Sequence, residues 1–220
     1  MSAMDSAVDV VGAIEASGVV AVVRLEDLSD AVNVASALAK GGVRAIEFTF
    51  TNPKAAQAIT AAREAMSDDA LIGAGSVLDA ETARIAILAG ARFIVTPVTR
   101  VETIQLCTRY GVPIMSGAFT PTEILTAWEA GSAMVKVFPA TALGPGYLKD
   151  VRGPLPQVKL IPTGGVSVDN AGDFIRAGAS AVALGSALVD PKLVRAGAWD
   201  ELTARAQAIH DAVAAARSNA

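Results

Sequence analysis

Two hydrophobic rhythms alternate along this chain. Short apolar runs recur at Val19–Arg24, Ala45–Phe50, Ala70–Gly75, Phe93–Thr96, Val112–Met115, Ala133–Phe138, Gln157–Pro162 and Ala181–Leu184. Between them lie stretches rich in Ala, Leu and Glu, such as Ser29–Lys40, Pro53–Met66 and Ala80–Leu88. The first pattern predicts strands of a parallel sheet covered on its outer face, the second the helices that cover it. Successive strands begin about 20–26 residues apart, the length of a βα unit. Eight such units over 19–189 predict an α/β fold, a (β/α)8 TIM barrel, with an extra N-terminal helix at 1–17 and a final helical layer at 190–220 whose end, Ser218 to Ala220, frays. No linker, low-complexity tract or charge block divides the chain, so 1–220 reads as one domain. An open doubly wound sheet fits the same pattern, but the first strand is not followed by a G-x-G-x-x-G turn.

In a barrel, chemistry sits at the C-terminal ends of the strands and in the loops after them. Alternation along the second strand puts Glu47, Thr49 and Thr51 on one face and Ile46, Phe48 and Phe50 on the other. The apolar set belongs outside against helices, leaving Glu47 in the interior, poised for proton transfer or held as a salt-bridge partner of Arg24 or Lys136. Along the sixth strand, Met134, Lys136 and Phe138 share a face, so Lys136 points the same way as Glu47 just below the strand's end. Burial disfavours an ammonium, and a neutral amine near pH 7 is a nucleophile toward carbonyls. Lys136 is therefore a candidate Schiff-base lysine, the alternative being a strand-end lysine that reaches out to water. Lys159 lies near the start of its strand and belongs to the bottom of the barrel. Arg24 ends the first strand, either binding a carboxylate with its two-pronged guanidinium or pairing at the rim with Glu26 or Asp27. Gly73-Ala74-Gly75-Ser76 closes the third strand, either letting a ligand approach the backbone beside the Ser76 hydroxyl or making a tight turn. Thr163-Gly164-Gly165 and Gly185-Ser186 end strands seven and eight, where barrels commonly bind phosphate on exposed backbone N–H groups.

Composition narrows the options. The chain has 220 residues with a net charge of -4 and a pI near 5.0, which argues against nucleic acid as the main partner. Mean hydropathy is +0.46, yet no apolar run is long enough to span a bilayer. The N-terminal stretch carries Asp5, Asp9 and Glu15 and no basic residue, unlike a signal peptide. One cysteine, Cys107, allows no intrachain disulfide. One histidine, His210, leaves nothing for an imidazole metal cluster. A carboxylate-only magnesium site stays open, but the scarcity of histidine favours chemistry run by lysine and carboxylate rather than by metal, in a cytoplasmic protein.

Several motifs then occur in order: I-E-F-T-F-T-N-P around Glu47, G-A-G-S-V-L at Gly73–Leu78, I-V-T-P at Ile94–Pro97, G-A-F-T-P-T-E at Gly117–Glu123, V-K-V-F-P-A at Val135–Ala140, P-T-G-G-V at Pro162–Val166 and G-S-A-L-V at Gly185–Val189. Together they resemble the 2-keto-3-deoxy-6-phosphogluconate (KDPG) / 4-hydroxy-2-oxoglutarate (KHG) aldolase family of class I pyruvate aldolases, over roughly Val19 to Val189. The resemblance implies a metal-free, cofactor-free homotrimeric barrel acting on 2-keto acids, with pyruvate and a phosphorylated aldehyde as products. It implies Lys136 as the Schiff-base lysine and Glu47 as general acid/base. Arg24 and Ser76 would meet the pyruvate carboxylate, and Pro97 and Phe138 the pyruvyl group. Thr163, Gly164, Gly165, Gly185 and Ser186 would form the phosphate side. Some members carry arginine where Thr51 stands and others threonine, which leaves Arg24 to supply the charge here. Ser76 replaces the more usual threonine and keeps the hydroxyl.

The resemblance leaves the aldehyde half open: the gluco substrate, its galacto epimer, or unphosphorylated KHG, which would give glyoxylate. Two other readings keep the barrel. One is a phosphate-binding isomerase or synthase without a Schiff base, with Lys136 as an electrostatic clamp. The other is a non-catalytic sugar-phosphate binder, disfavoured because a buried Glu–Lys pair with no task is costly to keep.

Overall fold

The computed structural model describes residues 3–66 and 69–218; Met1, Ser2, Asn219 and Ala220 of the expected terminal segments lie outside them. Eight strands run β1 Val19–Val23, β2 Ala45–Thr49, β3 Leu71–Gly75, β4 Ile94–Val95, β5 Ile114–Ala118, β6 Met134–Val137, β7 Leu160–Pro162 and β8 Val182–Leu184. Ten helices accompany them: α1 Ala3–Ser17, α2 Ala31–Lys40, α3 Ala55–Met66, α4 Ala80–Leu88, α5 Val101–Arg109, α6 Pro121–Glu129, α7 Gly144–Arg152, α8 Val168–Arg176, α9 Pro191–Arg195 and α10 Trp199–Ser218. The strands are parallel in the order β7-β6-β5-β4-β3-β2-β1-β8. A bridge between Thr163 and Ala183, with Ser180 N–H donating to Leu160 at 2.9 Å, joins β7 to β8 and completes the barrel.

Period-two alternation divides the buried residues into two cores. Inside the barrel pack Val20, Val22, Phe93, Val95, Met115, Met134 and Ile161, with Val10 and Ile14 of α1. The N-terminal helix thus corks the bottom of the barrel. Lys159, just before β7, pairs with Glu15 of that helix at 2.7 Å, the bottom placement its position predicts. Outside, Val19, Ala21, Val23, Ile46, Phe48, Val135 and Val137 pack against the helices. Helix starts at the opposite end, where the strands terminate, are firmly signalled. Asp79 caps α4 by accepting from Thr82 N–H at 2.7 Å, and Thr120 and Glu123 form a reciprocal capping box before Pro121.

Two strand ranges depart from expectation by more than one residue at an end. β5 runs Ile114–Ala118 rather than Val112–Met115 because Ser116-Gly117-Ala118, small and turn-like in sequence, continues the sheet against β6. Gly117 must be glycine: a Cβ there would clash with the backbone of Pro97, which lies across it. β7 starts at Leu160 rather than Gln157, since Val158 N–H closes a turn onto Leu155 at 3.2 Å. β1 stops one residue before Arg24, which becomes the first residue of the loop.

No helix among the described residues is long and apolar enough to cross a membrane.

Candidate functional site

Register brings the two candidate groups into the upper half of the barrel. Glu47 lies between Val22 of β1 and Gly73 of β3, while Lys136 lies between Gly117 of β5 and Ile161 of β7. Both face the interior and both are buried, Glu47 being 1% and Lys136 4% exposed. Burial raises the Glu47 carboxyl, opposed by the positive charges of Lys136 and Arg24. Burial lowers the Lys136 ammonium, Glu47 opposing and Arg24 reinforcing the shift. Both shifts favour the uncharged forms, an amine beside a carboxylic acid. Neither carboxyl oxygen of Glu47 has a hydrogen-bond partner, so the salt-bridge alternative does not hold in this structure. Lys136 Nζ lies 4.8 Å from the centre of the Phe138 ring.

The space for Glu47 is made by a neighbour. A Cβ on Gly75 would clash with Glu47 Oε1 and stand 2.7 Å from its Cδ. Glycine at the end of β3 therefore serves the carboxyl group directly, beyond the ligand approach read from sequence. The next residue, Ser76, has φ 56°, a left-handed conformation that costs a residue with a Cβ roughly 1–2 kcal/mol.

One cavity of about 440 Å³ collects most of the remaining candidates: Arg24, Phe138, Thr163, Gly164, Gly165, Gly185 and Ser186, with Val22 and Ala183 beneath. Gly164 and Gly165 have φ of 89° and 73°, which no ordinary residue adopts without strain. Thr163 Oγ1 is buried without a partner. An orphaned buried oxygen costs about 1–3 kcal/mol, and Thr163 is one of the residues that line this cavity. Arg24 makes no ion pair with Glu26 or Asp27 among the described residues; the two groups that feel its charge are Glu47 and Lys136. Arg24 thus stands between the glycine loops and the buried pair. A second cavity, lined by Pro97, Gly117, Phe119, Phe138 and Pro139, shares the Phe138 ring with the first. Thr51 and Ser76 line neither cavity. Thr51 is exposed and shares a 2.9 Å hydrogen bond with Thr49 Oγ1, whose hydroxyl also donates to Val23 at 3.3 Å.

Residues outside this cluster are chemically quieter. Cys107 is buried and its thiol is pushed up to about 12 by desolvation, which leaves it protonated and inert. An apolar cavity, lined by Val11, Val112 and Ile114, opens beside α1 at the opposite end of the barrel from Glu47 and Lys136.

The arrangement suits covalent carbonyl chemistry: a buried amine pushed toward its uncharged form, a carboxyl raised by burial, an aromatic wall, a guanidinium and glycine-rich loops that expose backbone. Comparison with known proteins agrees. The family described as KDPG and KHG aldolase matches residues 10–205. A 2-dehydro-3-deoxy-phosphogluconate aldolase from Treponema pallidum is 38% identical over 89% of this chain and 93% of its own. A 2-dehydro-3-deoxy-6-phosphogalactonate aldolase from Escherichia coli is 36% identical over 84% of this chain and 89% of its own. Among solved structures, the KDPG aldolase of Legionella pneumophila, with pyruvate captured as a covalent carbinolamine, superposes with a TM-score of 0.84. It is 30% identical and covers 90% of this chain and 97% of its own.

Proposed function

The chain belongs to the KDPG and KHG aldolase family, and from that premise we propose that it cleaves KDPG reversibly to pyruvate and glyceraldehyde 3-phosphate by class I, Schiff-base chemistry. It is an enzyme, an aldehyde-lyase, and residues 1–220 act as one aldolase domain. The observation that carries the reading is the buried Glu47–Lys136 pair with both groups driven toward their neutral forms.

Lys136 Nζ attacks the C2 ketone, giving a carbinolamine after proton transfer from nitrogen to oxygen. The neutral Glu47 carboxyl protonates the departing hydroxyl, so that water leaves, a protonated imine remains and Glu47 becomes a carboxylate. That carboxylate takes the C4 hydroxyl proton, directly or through water. The C3–C4 bond breaks, its electron pair flows into the imine to form an enamine, and the aldehyde departs. Glu47 returns its proton to C3, and hydrolysis of the imine frees pyruvate and the amine. Arg24 and Ser76 hold the carboxylate, while Pro97 and Phe138 flank the pyruvyl carbons. Thr163, Gly164, Gly165, Gly185 and Ser186 bind the phosphate, remote binding energy that orients the reacting carbons. Thr51, which lines neither cavity, leaves the charge at the carboxylate end to Arg24.

A second reading, the galacto epimer as substrate, is favoured by the 36% identity to the E. coli phosphogalactonate aldolase; turnover of the two epimers side by side separates them. A homotrimer is supported by apolar side chains left exposed on one side, Ile85 at 52% and Leu88 at 70%, beside Tyr110. Sedimentation equilibrium tests it. The catalytic assignment is tested by intact mass and peptide mapping after pyruvate and borohydride. The expected result is a reduced pyruvyl adduct on Lys136, absent from Lys136→Ala together with cleavage activity. Cleavage at the wild-type rate by Lys136→Ala refutes the assignment.

A further inference from the structure

Asn52 is buried at the start of the loop after β2, and every polar function of its amide is engaged. Its Nδ2 donates to the Leu25 carbonyl at 3.0 Å and to the Glu26 carbonyl at 2.9 Å, while its Oδ1 accepts from Lys54 N–H at 2.9 Å. One orientation of the amide alone fits, because two carbonyls demand the NH2 and an N–H demands the oxygen. The two carbonyls belong to the residues that directly follow Arg24. On the other side of Arg24, the Val23 carbonyl accepts from Thr49 Oγ1 at 3.3 Å. The strand and loop that carry Glu47 therefore grip the Arg24 turn both before and after the arginine. Arg24 itself has no ion-pair partner among the described residues, so its guanidinium is aimed by its backbone.

We propose that Asn52 is a positioning residue: it clamps the Leu25–Glu26 turn so that Arg24 is held over the cavity, ready for the carboxylate of the 2-keto acid. The inference rests on the aldolase reading and adds a determinant of substrate affinity that touches no substrate atom. The turn needs such a clamp because its carbonyls are otherwise free to rotate with the loop. A charge-assisted contact made by a long arginine loses strength steeply when its anchor drifts. Alanine at 52 removes both donors, and aspartate keeps the acceptor while placing a carboxylate against two carbonyls, so both variants release the turn.

The test is borohydride trapping as a function of pyruvate concentration for wild type, Asn52→Ala, Arg24→Met and the double variant, with thermal unfolding of each. Asn52→Ala is expected to raise the half-saturating pyruvate concentration roughly tenfold with little change in the rate at saturation. Added to Arg24→Met, it is expected to have no further effect on pyruvate, since the group it positions is already gone. The proposal is overturned by equal effects in both backgrounds, or by a lower melting temperature with unchanged half-saturation, which mark a purely structural amide. If wild type itself yields no adduct while folded, the aldolase reading fails and this proposal with it, an outcome distinct from either of those.

Discussion

Adding one methyl group at Gly75 tests the geometry of the buried pair. Gly75 φ is not in the left-handed region, so alanine is compatible with the backbone there, and the whole effect comes from the new Cβ. That atom would clash with Glu47 Oε1 and lie 2.7 Å from Cδ and 3.2 Å from Cγ. Non-bonded carbon atoms settle at about 3.5–4.0 Å, so the carboxyl must retreat by roughly 1 Å. It cannot retreat outward, because Glu47 is flanked by strands on both sides. A displacement of that size at a reacting group costs about a hundredfold in rate, or ~2.7 kcal/mol of transition-state stabilisation. Overpacking costs about 1–3 kcal/mol of stability, partly offset by the ~0.4–1 kcal/mol that glycine replacement returns through the unfolded chain. Gly75→Ala should therefore fold, melt slightly early and cleave KDPG about a hundredfold more slowly in a lactate dehydrogenase-coupled assay. Gly12→Ala is the matched control: its Cβ meets nothing within 4 Å on the exposed side of α1. Turnover by Gly75→Ala within twofold of the Gly12→Ala control would show that Glu47 does not need the position seen here.

Other consequences are as direct. The depressed Lys136 means that the unfolded chain holds a proton the folded one has lost, so stability rises with pH between its folded value and the ordinary 10.5. The raised Glu47 acts oppositely, stability falling as pH climbs from 4.5 through its folded value. Urea unfolding across pH should lose the alkaline rise in Lys136→Met and the acid-side fall in Glu47→Gln; unchanged profiles contradict the burial argument. Ser186→Asp brings a negative charge into the glycine cradle. The KM for KDPG should rise about a hundredfold, well beyond any rise for unphosphorylated KHG, and equal rises would place the phosphate elsewhere.

The barrel and the inward aim of Glu47 and Lys136 were legible because strand periodicity is local and strict: Ile46 and Phe48, or Val135 and Val137, leave their neighbours no other face. Lys159 was placed at the bottom by the same logic and meets Glu15 there. What sequence could not reveal depends on partners remote in the chain. Gly75 reads as a turn until the Glu47 carboxyl is found in its missing Cβ. Gly117 lies beyond the expected strand end, and only its pairing with β6 and the Pro97 backbone lying on it show why β5 runs on through small residues. Arg24 reads equally as a rim ion-pair partner and as a ligand binder, and the rim pair with Glu26 or Asp27 does not form among the described residues. Asn52 is one polar residue in a loop of polar residues, and nothing local marks which carbonyls it will reach.

The joint between β7 and β8 acquires a meaning from its position. At this joint a single bridge at Thr163 and Ala183 and the Ser180–Leu160 contact hold the edges together, whereas β1–β2, β2–β3 and β5–β6 pair over four or five residues. The glycine loops that line the cavity beside Arg24 spring from these same two strands, one on each side of the joint. On the proposed phosphate site, bound substrate would act as a rivet across a thinly laced stave and fasten the container it reacts in, so amide exchange at Thr163 and Ala183 should slow when phosphate is added.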